Sequence, residues 1–508
     1  MGNGKRLFRA AVAGLWLVLS AGATGTAGAQ NLRIGLAEDP DVLDPSQART
    51  FVGRIVFAAL CDKLVDISPD LQIVPQLATE WHWVDDNKGL VMTLRRGVLF
   101  HDGETLDAAA VKYSIERHLT MPESVRKSEI GAVKAVEIVD DHTVKFVLSA
   151  PFAPLLAQLS DRAGMIVAPA AAKTAGANFG AHPVCAGPFK FVERVAQDRI
   201  VVERFPDYWD KDKIKLDRIT FLPIVDSTVK LANLQSGALD IIERIAATDV
   251  DTVKKDDRLR FASITGLGYV GITINLAHGD KAKNPLGQDA RVRQAFEASI
   301  DREALNQVVF NGLFTPGNQW VPPDTPYYVK ELPVPPRDLA RAKRLLAEAN
   351  APHPSFTMMV PNTPELLQAA QVIQAMTAEA GFDVKIQSTE FASALQLGNN
   401  GDFEAFQIGW SGRTDPDGNI YNFVACHSAL NDPRYCNATV DRELDAARLV
   451  EAPAERLAHY KVAAEQLLKD LPIVYLWHPK WLWAMSTKLQ GFTPYPDALI
   501  RPQGLTLR

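Results

Sequence analysis

The chain has 508 residues, four cysteines and a formal net charge of −6 at pH 7. A chain of this length can form two or more domains, each with its own core. The acidic balance argues against nucleic acid and anionic membrane surfaces as partners. Beyond the N-terminal segment no apolar run reaches about 18 residues, the length that crossing a bilayer requires, so a soluble product is expected.

The N-terminus has the pattern of an export signal. Three basic residues, Lys5, Arg6 and Arg9, precede the apolar segment 10–19, and Ala27, Gly28 and Ala29 form an A-x-A cleavage motif. The pattern predicts cleavage after Ala29 and a periplasmic product, which changes the formal charge from −6 to −9 because the basic residues leave. The alternative is a retained membrane anchor.

The four cysteines can all pair in an exported protein, with three possible connectivities. Cys426 and Cys436 are close in sequence and flank a turn, which favours a bridge between them. Cys61 and Cys185 would then form a second, long-range bridge; the alternative for them is two free buried thiols.

Strands and helices alternate along the whole chain. In the first half, strands are predicted at 32–36, 91–94, 143–148, 187–193 and 199–203, and helices at 55–64 and after an Asp107 cap. In the second half, we predict a strand at 269–275, helices at 291–299, after Asp301, after Asp338 and at 457–468, and strands at 403–408 and 473–477.

A β-α-β unit is predicted from strand 356–360, a helix capped by Thr363 and ended by Gly381, and strand 382–386. Such units imply a parallel sheet with a right-handed crossover, and the fold class is therefore α/β. The proline-rich stretch 322–336 is either a domain linker or a surface loop.

The segment 409–436 is the most informative part of the sequence. Strand 403–408 leads into Gly409 and Trp410, and Arg413, Asp415 and Asp417 follow in a segment rich in turn residues. An aromatic side chain and a cation on a loop at a strand end are typical of a small-molecule site. The alternative is a surface turn whose charges pair with one another.

Motifs of catalysis are absent from the sequence. It contains no G-x-S-x-G elbow, H-E-x-x-H pair, Walker loop or glycine-rich dinucleotide turn, and its ten histidines lack metal-ligand spacing. We therefore predict a protein that is not an enzyme, with no cofactor and no metal site.

Five segments, in order, resemble the solute-binding proteins of peptide, opine and nickel ABC importers, extracellular family 5. They are 78–117, CAGPFKF at 185–191, VRQAFEASIDRE at 292–303, ARAKRLLAEAN at 340–350 and GWSGRTDPDGN at 409–419. Cys185 stands where a small residue is more usual, and Asn350 where glycine is common. The similarity extends over nearly the whole mature chain.

The resemblance implies a two-lobed periplasmic binding protein fold with a cleft that closes by a hinge. Lobe I would hold residues 30–268 and 486–508, with an extra subdomain at about 58–185, and lobe II would hold 269–485. The chain would cross between lobes near 266–269 and near 483–489.

The function implied is a periplasmic substrate-binding receptor that captures a small peptide-like or anionic solute and delivers it to the permease and ATPase subunits of an ABC importer. A monomer is expected. The alternatives are a chemoreceptor ligand carrier or periplasmic chaperone on the same fold, and a periplasmic hydrolase.

The resemblance also suggests how the ligand is held. In dipeptide-binding relatives an aspartate at the position of Arg413 holds the ligand's ammonium, so the arginine here reverses the charge. Arg162 matches an arginine that faces ligand carboxylates in nickel-complex-binding relatives, and Arg126 lies near another such position. Arginine suits bidentate contact with carboxylate, which favours an anionic ligand clamped by Arg413 and Arg162.

Each of these residues has a structural alternative. Arg413 could pair internally with Asp415 or Asp417, and Arg162 with Asp161 or another loop carboxylate. Trp410 and Asp415, in the same segment as Arg413, are also candidate ligand contacts. Trp410 could instead belong to the hydrophobic core. Tyr269 is a further candidate contact that could instead be hinge packing.

Overall fold

The computed structural model describes residues 30–508; the predicted export signal and its cleavage site at Ala29 lie outside them. The strands are β1 (Asn31–Leu36), β2 (Val65–Ile67), β3 (Ile73–Pro75), β4 (Ala78–Val84), β5 (Gly89–Leu94), β6 (Val133–Asp140), β7 (Thr143–Leu148), β8 (Phe189–Val195), β9 (Arg199–Arg204), β10 (Arg218–Pro223), β11 (Ile241–Glu243), β12 (Leu259–Thr265), β13 (Tyr269–Ile274), β14 (Thr315–Pro316), β15 (Ser355–Pro361), β16 (Asp383–Thr389), β17 (Ala405–Trp410), β18 (Ile473–His478), β19 (Lys480–Ser486), β20 (Leu489–Gln490) and β21 (Thr506–Leu507).

The α-helices are α1 (Phe51–Leu60), α2 (Ala108–Thr120), α3 (Leu155–Leu159), α4 (Pro169–Ala175), α5 (Ser227–Gln235), α6 (Val250–Lys255), α7 (Pro285–Gln288), α8 (Ala290–Ala298), α9 (Arg302–Phe310), α10 (Leu339–Glu348), α11 (Pro364–Ala378), α12 (Phe391–Asn400), α13 (Asp417–Val424), α14 (Ala438–Leu449) and α15 (Pro453–Asp470). Within residues 30–508, none of these helices is both long and apolar enough to cross a membrane.

Two large mixed sheets organise the molecule. The first has seven strands in the order β12-β19-β11-β1-β10-β9-β8, and the second has six in the order β14-β18-β13-β17-β15-β16. A four-stranded antiparallel sheet, β4-β5-β7-β6, lies within the part of the chain that the predicted subdomain covers. We call the part built on the seven-stranded and four-stranded sheets lobe I, and the part built on the six-stranded sheet lobe II.

The predicted β-α-β unit forms part of lobe II, where β15 and β16 pair in parallel around α11. Caps predicted at Asp107, Asp301 and Asp338 each accept a hydrogen bond from the third residue that follows. Thr363, in contrast, makes no side-chain cap bond, and Pro364 starts α11 without it.

Two local predictions differ from the structure. The helix predicted at 55–64 lies at Phe51–Leu60, because the Thr50 side chain caps it by accepting from the Gly53 N–H. Part of the segment predicted as a loop after Trp410 is helical, since α13 begins at Asp417. Pro416 and an acidic first turn favour a helix start there.

The chain passes between the two large sheets twice. It leaves β12 and enters β13 through residues 266–268, and it leaves β18 and enters β19 at Pro479. At Gly268 a side chain has no room, because a Cβ would come within 1.7 Å of the Trp410 carbonyl oxygen. The lobe bounds stay a prediction, but the strand pairing favours a second boundary at Pro479 rather than near 483–489.

The cores of the two lobes are joined by packing near the crossings. One hydrophobic cluster contains residues of both lobes, for example Ile242 and Ile272, while the C-terminal residues Ile500 and Leu505 pack with Leu32 in lobe I. The proline-rich stretch is a loop of lobe II rather than a linker, since its Val329 is buried in the lobe II core.

Both predicted disulfides are present. Cys61 and Cys185 have Cα atoms 4.9 Å apart and join residues separated by 124 positions, and Cys426 and Cys436 have Cα atoms 4.7 Å apart. The first ties the start of the predicted subdomain segment to its end. The second closes the turn behind α13.

Candidate binding cleft

A cavity of about 230 Å³ lies between the two large sheets. Nine aromatic side chains from both lobes line it: Phe51, Tyr269, Phe310, Phe314, Phe391, Trp410, Phe423, Trp477 and Trp481. Phe51 stacks on Trp481 with ring centroids 4.5 Å apart, and Tyr269 meets Phe423 edge to face at 6.4 Å. Flat apolar walls of this kind suit the body of a small organic ligand, while polar groups fix its orientation.

Two of the side chains that line the cavity are almost fully buried arginines, Arg126 and Arg162. The Ala48 carbonyl accepts a hydrogen bond from Arg126 Nη2 at 3.2 Å and from Arg162 Nη1 at 2.7 Å. Arg126 Nη1 also donates to Glu129 at 2.6 Å. Within residues 30–508, neither guanidinium Nε has a hydrogen-bond acceptor.

Asp161 is the main counter-ion of this region. Arg54 Nη2 lies 2.7 Å from its Oδ2, Arg413 Nε lies 2.9 Å from the same oxygen, and Arg162 Nε lies 3.5 Å from Oδ1. Burial alone would raise the pKa of Asp161, but Arg413, Arg54 and Arg162 outweigh it and hold the pKa well below its usual value. We call Asp161, Arg54, Arg126, Arg162, Arg413 and Glu129 the arginine cluster. In it, four cations share two carboxylates, so its net charge is positive.

Arg413 lies behind the cavity wall and bridges the lobes. It belongs to lobe II, whereas its partner Asp161 belongs to lobe I. Its guanidinium carbon lies 4.2 Å from the Trp410 ring centroid, and Nη1 donates to the Gly412 carbonyl at 2.8 Å. Burial lowers the pKa of Arg413 to about 10, so the group is charged at neutral pH. Arg413 is not among the cavity-lining residues.

Asp415 also has a partner within the protein. It forms a two-contact ion pair with Arg456, at 2.7 and 2.8 Å, inside lobe II. Asp417 pairs in the same way with Arg448, at 2.6 and 3.0 Å. The internal partner of Arg413 is therefore neither of these two aspartates. Neither Arg413 nor Asp415 lines the cavity, and we therefore assign neither to ligand contact.

The cavity lining contains a second charged group, which the sequence did not suggest. Glu38 follows β1, Lys230 lies on α5 after β10, and Arg244 follows β11. These three strands are neighbours and run in parallel, so their carboxyl ends meet at one edge of the seven-stranded sheet. Sites at such edges are common in α/β folds. Glu365, at the start of α11 in lobe II, lines the same cavity.

Further polar contacts join the lobes around the cavity. Arg49 Nη2 of lobe I lies 3.2 Å from Asp432 Oδ2 of lobe II, and Arg54 Nη1 donates to Ser411 Oγ at 3.2 Å. Together with the bridge between Arg413 and Asp161, they describe a closed cleft.

Known proteins resemble this chain over most of its length. The family model of the bacterial extracellular solute-binding proteins, family 5 Middle, matches residues 72–431. The glutathione-binding protein GsiB of Pectobacterium atrosepticum is 30% identical over 471 residues, which cover 90% of each chain. GsiB of Salmonella paratyphi A is 28% identical over 499 residues, 96% of each chain.

Solved structures share the architecture. AgaA of A. tumefaciens R10, in complex with agropinic acid, has a TM-score of 0.86 and 27% identity, and the match covers 94% of this chain and 99% of AgaA. DppA of Helicobacter pylori, in complex with the peptide STSA, has a TM-score of 0.85 and 25% identity over 94% and 98% of the chains. The fold is thus the two-lobed periplasmic binding protein fold predicted from the sequence, and the chain belongs to the bacterial extracellular solute-binding proteins, family 5.

Proposed function

We propose that this solute-binding protein of an ABC importer captures a small peptide-like solute with at least one carboxylate between its two lobes. The observation on which the proposal depends is the pair of buried arginines at the cavity, Arg126 and Arg162, whose cluster has more cations than carboxylates. Arg126 Nε and Arg162 Nε are buried donors without a hydrogen-bond acceptor within residues 30–508. A ligand carboxylate would accept hydrogen bonds from both.

The similar proteins agree with this chemistry. Relatives over most of the chain are glutathione-binding proteins, and structural neighbours hold agropinic acid or a peptide. The aromatic walls would contact the middle of such a ligand, with Trp410 and Tyr269 on the lobe II side. Closure then follows from differential affinity, because ligand contacts from both lobes exist only in the closed form.

The remaining parts of the proposal concern the cell. The receptor would be exported, lose its signal after Ala29, act in the periplasm as a monomer and deliver its ligand to a permease with ATPase subunits. It would make and break no bond in its ligand.

Native mass spectrometry of protein purified from its own periplasm would identify the captured solute. Calorimetry would then compare the wild type with Arg162→Met and with Arg442→Met, a control at an exposed arginine on α14. We expect Arg162→Met to weaken binding of a carboxylate ligand by about tenfold or more, the value of a charged hydrogen bond. Equal affinities in both variants would contradict the proposal.

A further inference from the structure

The disulfide between Cys426 and Cys436 differs from the other bridge in its access to solvent. Cys436 is exposed and Cys426 is half-buried, whereas Cys61 and Cys185 are 2% and 0% exposed. A disulfide is opened by a thiolate that reaches one of its sulfur atoms. A small thiol in solution therefore has access to Cys436 but not to the buried bridge.

The loop between Cys426 and Cys436 forms part of the binding cavity. Its residues Leu430, Asp432 and Pro433 all line the cavity. Asp432 also spans the cleft, because its Oδ2 accepts a hydrogen bond from Arg49 Nη2 of lobe I at 3.2 Å. The two side chains are 11% and 16% exposed, so solvent screens this ion pair only in part. The disulfide thus closes a loop whose carboxylate joins the two lobes.

The backbone near both ends of this loop has a conformation that side chains disfavour. His427 and Arg434 have φ values of 65° and 55°, in the left-handed region that is uncommon for residues other than glycine. Both lie within two positions of a bridged cysteine. The disulfide therefore constrains the two segments that have the least favourable backbone geometry.

Hydrogen bonds hold the centre of the loop independently of the bridge. The Asn431 side chain donates to the Ala425 and Tyr435 carbonyls at 3.0 and 2.7 Å. The Pro433 carbonyl accepts from the N–H groups that follow β13, at 3.1 Å. Because these bonds do not depend on the bridge, we expect its opening to shift the loop without unfolding lobe II.

We propose that the Cys426–Cys436 disulfide positions Asp432 for its contact with Arg49, and that a small thiol which opens this bridge lowers the affinity of the receptor for its solute. The cysteines are positioning residues, since they act through Asp432 and do not line the cavity. Loss of a contact that exists only between closed lobes disfavours the closed form. The inference rests on the proposed function, because it describes how affinity for the same solute is regulated.

The reaction is thiol–disulfide exchange and consumes two equivalents of a thiol, RSH. The thiolate of the first equivalent attacks Sγ of Cys436, and Cys426 leaves as a thiolate that takes up the proton the thiol lost. A second thiolate attacks the sulfur of R in the mixed disulfide, which releases RSSR and the Cys436 thiolate, and this also takes up a proton. The protein gains two electrons and two protons, and the two thiols are oxidised to RSSR.

The test uses S-methylglutathione and alanyl-aspartate, two peptide-like carboxylates that have no thiol. Calorimetry would compare wild-type protein before and after treatment with 2-mercaptoethanol, while alkylation and mass spectrometry of a parallel sample verify that only the exposed bridge is open. We expect binding to weaken by about tenfold, the value of a hydrogen bond between charged groups. The double variant Cys426→Ser with Cys436→Ser should show the same loss without any thiol.

Further variants separate positioning from a general loss of stability. Asp432→Ala alone should weaken binding by about tenfold, and opening the bridge in that variant should cause no further loss, because both changes remove the same contact. The control is Cys61→Ser with Cys185→Ser, which removes the bridge with the longer loop and so costs more stability. It should nevertheless bind both probes as the wild type does. Thermal unfolding verifies that each variant folds.

Hydrogen exchange of residues 427–435 reports on the loop without any ligand, and we expect faster exchange when the bridge is open. Unchanged affinity for both probes after opening, or an equal further loss in Asp432→Ala, would overturn the inference and leave the receptor for anionic solutes intact. If neither probe binds the wild type, the proposed solute class is overturned. Exchange rates that do not change on opening the bridge would then overturn the inference as well.

Discussion

Replacing Asp161 by asparagine should open the cleft. The carboxylate of Asp161 contacts Arg54 and Arg162 of lobe I and Arg413 of lobe II, at 2.7 to 3.5 Å, and is 5% exposed. Removing one partner of a buried ion pair costs about 3–5 kcal/mol, because a buried charge is left uncompensated. Part of this cost falls only on the closed form, since Arg413 reaches Asp161 only when the lobes meet.

The loss of affinity depends on how much of this free-energy cost falls on the closed form alone. If about 3 kcal/mol falls on the closed form, the apparent affinity for ligand should drop by about 100-fold, since each 1.4 kcal/mol is a factor of ten. Small-angle scattering of Asp161→Asn should show a larger radius of gyration than the wild type at the same ligand concentration. Calorimetry with the captured solute supplies the affinity.

The control is Asp415→Asn, because Asp415 is also paired with a buried arginine, at 2.7 Å, but within lobe II. We expect it to lower the free energy of unfolding without changing closure. The double variant Asp161→Asn with Arg413→Met should recover part of the lost affinity, since no charge is then left unpaired across the lobes. The reasoning is refuted if Asp161→Asn and Asp415→Asn lower stability alike and both retain wild-type affinity and radius of gyration.

Two further predictions concern stability. In urea unfolding, the double variant Cys61→Ser with Cys185→Ser should lose about 4–5 kcal/mol of unfolding free energy, because that bridge closes a loop of more than 100 residues. The double variant Cys426→Ser with Cys436→Ser, whose bridge closes a short loop, should lose about 3 kcal/mol. Equal losses would contradict the loop-length argument. Burial raises the pKa of Asp62 to about 7, so the folded state retains a proton that the unfolded state releases near pH 4. The free energy of unfolding should therefore fall by at most about 4 kcal/mol as the pH rises from about 4 to about 7. Asp62→Asn should reduce this dependence of stability on pH. An unchanged dependence in the variant would exclude Asp62 as its cause.

The sequence predicted the elements whose signals are local. The aspartate caps of three helices, the parallel pair β15 and β16 and both disulfides are all found in the structure. Each depends on residues close in sequence or on cysteine count. The order of five family segments predicted the architecture, which local patterns alone did not.

The charged groups at the cavity could not be predicted in the same way. Arg413 pairs with a residue about 250 positions earlier in the chain, whereas sequence reasoning offered only its neighbours Asp415 and Asp417. Glu38, Lys230 and Arg244 follow three different strands, and only the strand order shows that they meet. The resemblance predicts Arg162 and Arg126 as ligand contacts; both line the cavity, and their contact with a ligand stays a prediction.

The two passes of the chain between the sheets run side by side. Gly266 donates its N–H to the Pro479 carbonyl at 3.1 Å, and His478 Nδ1 lies 2.8 Å from the Gly268 carbonyl oxygen. Trp477 and Trp481, on either side of Pro479, line the cavity. Part of the cavity wall, which we call the floor, is therefore built on the two crossings that we expect to act as the hinge.

Contacts with that floor are available whether the cleft is open or closed, so they strengthen binding without favouring closure. A ligand that contacts Arg162 of lobe I and Glu365 of lobe II at the same time favours closure, because both contacts exist only when the lobes meet. We therefore expect affinity and transport competence to be separable properties of this receptor. We expect that a compound that fills the floor without bridging the two lobes would occupy the protein and block uptake without being delivered to the permease.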